Sequence, residues 1–284
     1  MRAAARSTLL RRSPVLAASI RLGAAMVLIW TLAPFLWALL TSFTPENEIT
    51  GEARLPSHLS FDNYVYAWRA TPLPLYFLNT LIVAGLTTAL SIACSISAAY
   101  SFSRYRFAGR GALILGLLVI YLFPATLLVI PLFPIMRTLG LLDSYLGLVL
   151  AHATHAVPFC VWMLTGYFDA IPRDLEEAAE LDGATPFGAF RRVTLPLAMP
   201  GVAATAIFAF LYSWQEYLFV LFFTTGEAVR TLPVGLQVFL SGELDVRWGA
   251  INAQSVITTV PVVALFMLLQ RHFVRGLTSG ALKG

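Results

Sequence analysis

Two histidines and one acid lie in stretches of sequence that otherwise contain almost no charge. His152 and His155 stand three residues apart in the peptide HATH, and Glu216 lies in SWQEYLF. Imidazoles on one helix face could bind a metal ion, and together with an acid they could serve a hydrolase. A zinc site takes at least three protein ligands, and neither an acid nor a third histidine accompanies the pair in its own stretch. We therefore predict no metal site and no catalytic residue.

The elements that carry these residues are long apolar segments. The chain has 284 residues, is 58% hydrophobic and only 12% charged, and has a mean hydropathy of +0.76. A soluble domain carries about 25% charged residues. Six stretches reach the ~20 apolar residues that cross a bilayer, where the backbone must be helical. We predict an all-α membrane protein with six transmembrane helices within a permease domain at 22–274, at about 22–43, 74–102, 112–136, 145–168, 195–223 and 250–272.

The distribution of arginine and lysine predicts the topology. Of the 19 basic residues, 14 fall in the odd-numbered inter-span segments, counted from the N-terminus, and 5 in the even-numbered ones. Basic residues are retained on the cytoplasmic side. Both the N-terminus, 1–21, and the C-terminal tail, 275–284, are therefore predicted to be cytoplasmic, as is the loop 169–194. The net charge of +4 comes from these segments and does not call for a nucleic acid partner.

Polar residues inside the spans are candidates for a substrate path. An acid at mid-bilayer costs roughly 2.5–3.5 kcal/mol on insertion scales, so it faces the bundle interior or water. We predict that Gln215 and Glu216, with Trp214, line this path; hydrogen bonding between helices or an interfacial position are the alternatives. The two histidines either form a polar face toward the cavity or serve packing. Asn79 is placed with the path residues, with hydrogen bonding between helices as its alternative.

The loop after the fourth span gathers charge in a short segment, RDLEEAAELDGATPFGAFRRVTLP, residues 173–196. Five of the 15 acids of the chain fall within 174–182. Acidic side chains stabilise the first turns of a helix, where the helix dipole is positive. Gly183 can adopt the left-handed conformation that ends a helix. A second short helix is predicted from about Pro186 to Arg192. This helix–glycine–helix segment is a solvated loop, a cation site on Glu176 and Glu180, or a docking element for another protein.

The same segment resembles the permease signature of ATP-binding-cassette (ABC) importers, E-A-A-x3-G-x9-I-x-L-P. Val193 stands where isoleucine is usual, and the other positions match. Four further segments resemble the maltose-type branch of this family: AAYSFSRYRFAGR, SWQEYLF (usually W-N-E-[FY]-L-F), TLPVGL and LQRHFVRGLTSGALKG. The resemblance covers almost the whole chain and implies the fold of a type I ABC importer permease.

In that family the loop is a coupling helix that sits in a cleft on a cytoplasmic ATPase subunit. The resemblance therefore implies an ATPase-coupling role for nine residues: Glu176, Glu177, Ala178, Ala179, Asp182, Gly183, Phe187, Leu195 and Pro196. It also implies that the C-terminal tail, through Gly280, Lys283 and Gly284, reaches the same ATPase. We refer to residues 169–194 as the coupling loop.

The resemblance also implies the partners of the chain. They are a second, different permease subunit, a cytoplasmic ATPase dimer that holds ATP and magnesium, an extracytoplasmic sugar-binding protein, and membrane lipid; this chain needs no cofactor. Independently, the sequence has a single lysine, Lys283, and no G-x4-G-K-[ST] loop to cradle a nucleotide.

The predicted function is import of a di- or oligosaccharide across the cytoplasmic membrane of a prokaryote by alternating access. An α-glucoside such as trehalose or maltose is the first candidate. The alternatives are a self-sufficient secondary transporter, which would transport without ATP, and a membrane-embedded hydrolase.

Overall fold

The computed structural model describes residues 14–49, 56–242 and 247–281, and every regular element within these ranges is helical. The elements in chain order are α1 Pro14–Ser42, α2 Glu46–Ile49, α3 Asp62–Arg69, α4 Leu73–Arg104, α5 Arg110–Leu122, α6 Ala125–Thr138, α7 Tyr145–Asp169, α8 Asp174–Leu181, α9 Pro186–Ala189, a π-helical turn Phe190–Thr194, α10 Leu195–Gln215, α11 Leu218–Phe223, α12 Leu232–Gly242 and α13 Trp248–Ala281.

Five helical segments in the described part of the chain are long and apolar enough to cross a membrane. They are Ala18–Ser42, Leu73–Arg104, Tyr145–Asp169, Pro186–Gln215 and Trp248–Leu268. A sixth candidate consists of α5 and α6, which meet at an angle of 98°. The predicted all-helical membrane class is confirmed, with five spans, or six if the bent pair counts as one.

The predicted third span is not one straight helix. Phe123 (ψ 131°) and Pro124 (ψ 126°) are both extended, and they separate α5 from α6. Proline has no N–H to continue the helix, and its ring disfavours the helical conformation of the residue before it. The span predicted at about 112–136 therefore corresponds to two helices, because the chain turns sharply at Pro124.

The predicted fifth span differs at both of its ends. Its helix extends back through the π-helical turn to Pro186, so the second helix of the coupling loop runs unbroken into the membrane segment. A π-helical turn holds one extra residue, and such turns are frequent at functional sites. At the other end the helix stops at Gln215. Glu216 is extended (ψ 128°), and the shorter α11 follows.

The chain divides into two compact units, of which the smaller comprises the residues up to Ala67 together with Asp245–Val256. Its described residues are held by polar contacts around Asn63. The Asn63 Nδ2 atom donates to the Ser42 carbonyl at 3.1 Å and to the Thr44 carbonyl at 2.7 Å. The Ser42 hydroxyl lies 2.7 Å from the Tyr64 hydroxyl. These contacts tie the end of α1 to α3.

The larger unit comprises Trp68–Leu244 and Ile257–Gly284, and its core lies where α4 packs along α7 and α10. From Asn79 to Ala99 the buried face of α4 is made mainly of small and polar residues: Asn79, Thr80, Val83, Ala84, Thr87, Ser91, Ser95 and Ala99. Small residues let membrane helices approach closely. The approach of α7 to α10 is equally close, since a Cβ atom on Gly201 would lie 2.4 Å from the Tyr167 ring.

Candidate functional site

The first helix of the coupling loop, α8, begins at Asp174 and ends in a Schellman motif. Gly183 has φ +92°, and its N–H donates to the Glu180 carbonyl at 3.0 Å. The Ala184 N–H reaches back to the Ala179 carbonyl at 3.0 Å. Only glycine takes this left-handed conformation without cost. The glycine of the signature therefore sets the turn between the two helices of the loop.

The outer surface of the coupling loop presents apolar side chains among its charges. Leu181 is 90% exposed and Phe187 is 69% exposed. Thr185 caps α9 by accepting from the Gly188 N–H at 3.1 Å, which fixes the direction in which Phe187 leaves the loop. The other residues predicted for ATPase coupling are also exposed or partly exposed, with the exception of Glu176.

Glu176 points inward and is only 8% exposed. Its Oε1 atom accepts hydrogen bonds from Arg104 Nε at 2.7 Å and from the Thr194 hydroxyl at 2.6 Å. Its Oε2 atom accepts from the Tyr100 hydroxyl at 3.0 Å. We call these four residues the Glu176 cluster. The cation site considered for Glu176 and Glu180 has no support, because Glu176 is saturated by donors of its own chain.

The pKa of Glu176 reflects two opposed effects. Burial raises it, but hydrogen bonds from Thr194, Arg104 and Tyr100, with the charge of Arg104, outweigh burial and lower the pKa below its ordinary value. The carboxylate is therefore ionised at neutral pH, and it forms a buried ion pair with Arg104.

The three tail residues predicted to reach the ATPase lie at the edge of the structure. Gly280 lies in the last turns of α13. Lys283 and Gly284 lie outside the described residues.

Glu216 occupies the break between α10 and α11. Its Oε1 accepts from the Phe219 N–H at 2.9 Å and its Oε2 from the Val220 N–H at 3.3 Å, so the carboxylate caps α11. On the other side, His152 Nε2 lies 3.2 Å from Oε2, although the angle falls short of a hydrogen bond. His152 is fully buried, and its Nδ1 lies 2.7 Å from the Ser213 hydroxyl. The acid and the histidine thus join α7 to the break in the fifth span.

His155 is separated from His152 by its contacts. Its ring stacks on Tyr212 at a centroid distance of 4.9 Å and lies at the same distance from Tyr121. Its Nδ1 atom and the Tyr212 hydroxyl are buried and have no hydrogen-bond partner among the described residues. No group of three metal-ligating side chains occurs in the described part of the chain. The two histidines therefore serve different neighbours.

Gln215 and Trp214 border a cavity of about 420 Å³. Its remaining lining comes from α12, with Leu232, Pro233 and Leu236, and from α13, with Thr258, Thr259 and Val262. Trp214 is itself buried, stacked on Phe210 at 5.4 Å. Polar groups of Gln215 and of two threonines thus meet an apolar wall, a composition typical of ligand pockets.

Asn79 is fully buried and its amide is saturated. Its Nδ2 donates to the Ala228 carbonyl at 3.0 Å and to the Arg230 carbonyl at 2.8 Å, and its Oδ1 accepts from the Tyr145 hydroxyl at 2.6 Å. These contacts favour the hydrogen-bonding interpretation of Asn79 over a place on the substrate path.

Sequence reasoning missed several residues that complete these sites. Tyr100, Arg104 and Thr194 surround Glu176, and Ser213 supports His152. Arg104 stands next to Ser103 at the end of a predicted span, and this position is the feature that could have drawn attention to it. Its partner, Glu176, lies 72 residues further along the chain. A single sequence does not reveal a pairing of that separation.

The comparisons with known proteins agree with these observations. Residues 91–279 match the model of the family described as the binding-protein-dependent transport system inner membrane component. The chain belongs to this family. It is a multi-pass inner membrane permease subunit of an ABC importer, which works with a binding protein and with ATPase subunits that bind the ATP.

Relatives of this permease match over nearly their whole length. The sulfoquinovosyl glycerol transport system permease protein SmoH of Agrobacterium fabrum is 42% identical over 266 residues, 93% of each chain. The trehalose transport system permease protein SugB of Mycobacterium tuberculosis is 37% identical over 260 residues, 91% of this chain and 95% of its own. The trehalose/maltose transport system permease protein MalG of Thermococcus litoralis is 36% identical over 265 residues, 93% of this chain and 95% of its own.

A solved structure shares the fold of the permease. A chain of a bacterial ABC transporter involved in the import of the acidic polysaccharide alginate superposes with a TM-score of 0.82 at 22% identity, over 93% of this chain and 98% of its own. Membership of the family makes the chain a permease that is not itself catalytic. The hydrolase and the self-sufficient transporter are therefore excluded.

Proposed function

We propose that this permease imports a di- or oligosaccharide, with an α-glucoside such as trehalose or maltose as the first candidate. The observation that carries the proposal is the identity of 36–37% to permeases named for trehalose and for trehalose/maltose transport. The name of SmoH also refers to the transport of a sugar-containing compound, sulfoquinovosyl glycerol. In this proposal the chain pairs with a second, different permease, and both termini face the cytoplasm.

The coupling loop is the element through which the ATPase acts in this proposal. Its support is the exposed surface formed by Leu181, Phe187 and Glu177, beside a glycine turn that brings the two helices together. Apolar side chains standing free on a polar loop are typical of a surface that another protein covers. The C-terminal tail, with Gly280, Lys283 and Gly284, is proposed to reach the same ATPase.

The sugar path is proposed to pass the cavity beside Gln215. Its volume of about 420 Å³ falls within the range of about 300–1,000 Å³ that is usual for small-molecule sites. Amide and hydroxyl groups can exchange hydrogen bonds with sugar hydroxyls, and the buried Trp214, stacked on Phe210, forms part of the apolar wall behind Gln215. Glu216 and His152 lie beside this path as its structural support, and His155 adds unsatisfied polar atoms.

The coupling role is tested by the ATPase activity of the complete transporter reconstituted in liposomes. Glu177→Arg alters the exposed loop surface, Gly183→Arg strains the left-handed turn between the two helices, and we expect both to abolish stimulation of hydrolysis by the sugar-loaded binding protein. Asp62→Arg, a charge reversal at an exposed acid outside the loop, serves as the control. Unchanged stimulated hydrolysis and transport in both loop variants would show that the loop is only a solvated turn.

The sugar path is tested by uptake of radiolabelled trehalose and maltose into the same liposomes. One hydrogen bond is worth about 0.5–1.5 kcal/mol, so Gln215→Ala should slow uptake by about two- to tenfold while stimulated ATPase activity persists. Asn252→Ala removes an amide that bonds only to its own helix and is the matched control. Equal uptake by both variants would remove Gln215 from the path, and absence of uptake of either sugar by the unsubstituted transporter would overturn the α-glucoside assignment.

A further inference from the structure

One of the five acids within residues 174–182 of the coupling loop is placed differently from the other four. Asp174, Glu177, Glu180 and Asp182 are exposed, whereas Glu176 is buried with every carboxylate oxygen bonded. A buried carboxylate in this position cannot contact an ATPase docked on the outside of the loop. Its function must lie in what it does to the loop itself.

The partners of Glu176 come from two different membrane helices. Tyr100 and Arg104 lie in the last turns of α4, and Thr194 closes the π-helical turn that leads into α10. An ion pair and two hydrogen bonds thus connect α8 to the ends of both helices. The ring of Tyr100 lies 4.4 Å from the ring of Phe190, so aromatic packing covers the polar contacts.

Arg104 extends these connections to a third membrane helix. Its Nη1 atom donates to the Phe168 carbonyl and its Nη2 atom to the Ile171 carbonyl, both at 3.1 Å. The Phe168 carbonyl lies in the last turn of α7, and the Ile171 carbonyl lies two residues after the end of the helix. One guanidinium therefore holds the end of α7 while it pairs with the acid of α8.

We infer that Glu176 is a positioning residue that fixes the coupling loop to the cytoplasmic ends of α4 and α7, so that a force applied to the loop reaches these helices as well as α10. The inference rests on the proposed coupling role of the loop. The loop is joined covalently to α7 through residues 170–173 and to α10 through the unbroken helix from Pro186 to Gln215. Its routes to α4 are non-covalent: Arg173 Nη2 donates to the Ser103 carbonyl at 2.7 Å, and Glu176 pairs with Arg104. The Glu176–Arg104 pair can be removed without cutting a helix.

The test uses the complete transporter and two measurements. Glu176→Gln keeps the size of the side chain and one acceptor but loses the ion pair, and Glu180→Gln makes the same change one turn later at an exposed position. Hydrogen–deuterium exchange of residues 174–183 reports how firmly α8 is held. The transport rate divided by the ATP hydrolysed reports coupling, and it is compared only between complexes that contain all subunits in equal amounts.

We expect Glu176→Gln to raise amide exchange in α8 by about tenfold, which corresponds to ~1.4 kcal/mol, and to lower the sugar transported per ATP. Glu180→Gln should leave both unchanged. In a double-mutant cycle, Arg104→Gln should raise α8 exchange less in the Glu176→Gln background than in the unsubstituted transporter, because the shared pair is already absent there and only the contacts of Arg104 with α7 remain to be lost. Where Glu176→Gln does not assemble, Thr194→Val removes a single donor and should give a smaller change in the same direction.

Two results would overturn the inference. Unaltered exchange in Glu176→Gln would show that the pair does not hold α8, and raised exchange with intact coupling would show that no force passes through it. Failure of the proposed coupling role is distinguishable, since it would also leave Glu177→Arg and Gly183→Arg fully stimulated.

Discussion

Substitution of Glu216 separates its two candidate roles, the support of the break in the fifth span and the lining of a sugar path. The carboxylate caps α11 through the N–H groups of Phe219 and Val220 and lies 3.2 Å from Nε2 of the buried His152. Glu216→Gln keeps an oxygen acceptor and loses the charge. Glu216→Leu keeps a similar side-chain volume and loses every acceptor.

The magnitudes follow from these contacts. Loss of a cap costs about 0.5–2 kcal/mol, and a buried N–H group left without its acceptor costs about 1–3 kcal/mol. Because Glu216 accepts from two N–H groups, Glu216→Leu should cost about 2–5 kcal/mol in stability. Hydrogen bonds to a charged group contribute about 1.5–3 kcal/mol and neutral ones about 0.5–1.5 kcal/mol, so Glu216→Gln should cost only about 1–2 kcal/mol.

Thermal unfolding of the purified transporter in detergent measures the difference. At about 2–4 °C per kcal/mol for a chain of this size, Glu216→Gln should lower the Tm by about 2–8 °C and Glu216→Leu by clearly more. Equal losses of Tm in the two variants, or an unchanged Tm in Glu216→Leu, would refute the capping argument. A Glu216→Gln transporter with unchanged Tm and stimulated ATPase but no uptake would instead assign Glu216 to the path.

Three further predictions use the same complex. Gly201→Val should lower the Tm by several degrees, since its Cβ would lie 2.4 Å from the Tyr167 ring and overpacking costs about 1–3 kcal/mol; Gly201→Ala should do so less. Asn79→Leu should lower the Tm more than it lowers uptake per folded complex, because it breaks three buried hydrogen bonds; an unchanged Tm with lost uptake would place Asn79 on the path. Burial raises the pKa of Asp143. Hydrogen bonds from the hydroxyl and N–H of Thr225 and from the N–H of Gly226 outweigh burial and lower this pKa below the ordinary 3.8. The contribution of Asp143 to stability is therefore complete above pH 3.8 and is lost as the pH falls through the lower pKa of the folded state. The Tm of the unsubstituted transporter, measured from pH 6 down to pH 3, should approach the Tm of Asp143→Asn only at the acid end of this range.

The number and class of the helices were predictable because lipid imposes them. An uncharged stretch of span length has to be helical in a bilayer, and the helices at 73–104 and 145–169 lie within a few residues of their predicted ends. The breaks were not predictable in the same way. Pro124 ends one helix and Pro200 is accommodated inside another, so proline alone does not say where a span turns.

The coupling loop shows a second limit of sequence reasoning. Its two helices and the glycine turn follow from local rules of capping, and both are present. The local rules do not predict which of the acids of α8 point inward. An eight-residue helix has too few turns for its hydrophobic pattern to show which face is buried. Leu175 is 44% exposed although it is apolar, whereas Glu176 is buried although it is charged. Glu176 points inward because it pairs with the Arg104 guanidinium, and no local sequence pattern links Arg104 to the loop.

The two polar clusters together constrain how the membrane helices can move. At the cytoplasmic end, in the proposed orientation, the Glu176 cluster joins α4, α7 and the start of α10; toward the other end, His152 on α7 contacts Ser213 and Glu216 at the end of α10. A cleft that opened between α7 and α10 would break the hydrogen bonds of both clusters, and each buried polar group left without its partner costs about 1–3 kcal/mol. Alternating access should therefore move α4, α7 and α10 as one body. Spin labels placed on α7 and α10 should report the same separation with and without ATP, and a change of that separation would show that the clusters open during transport.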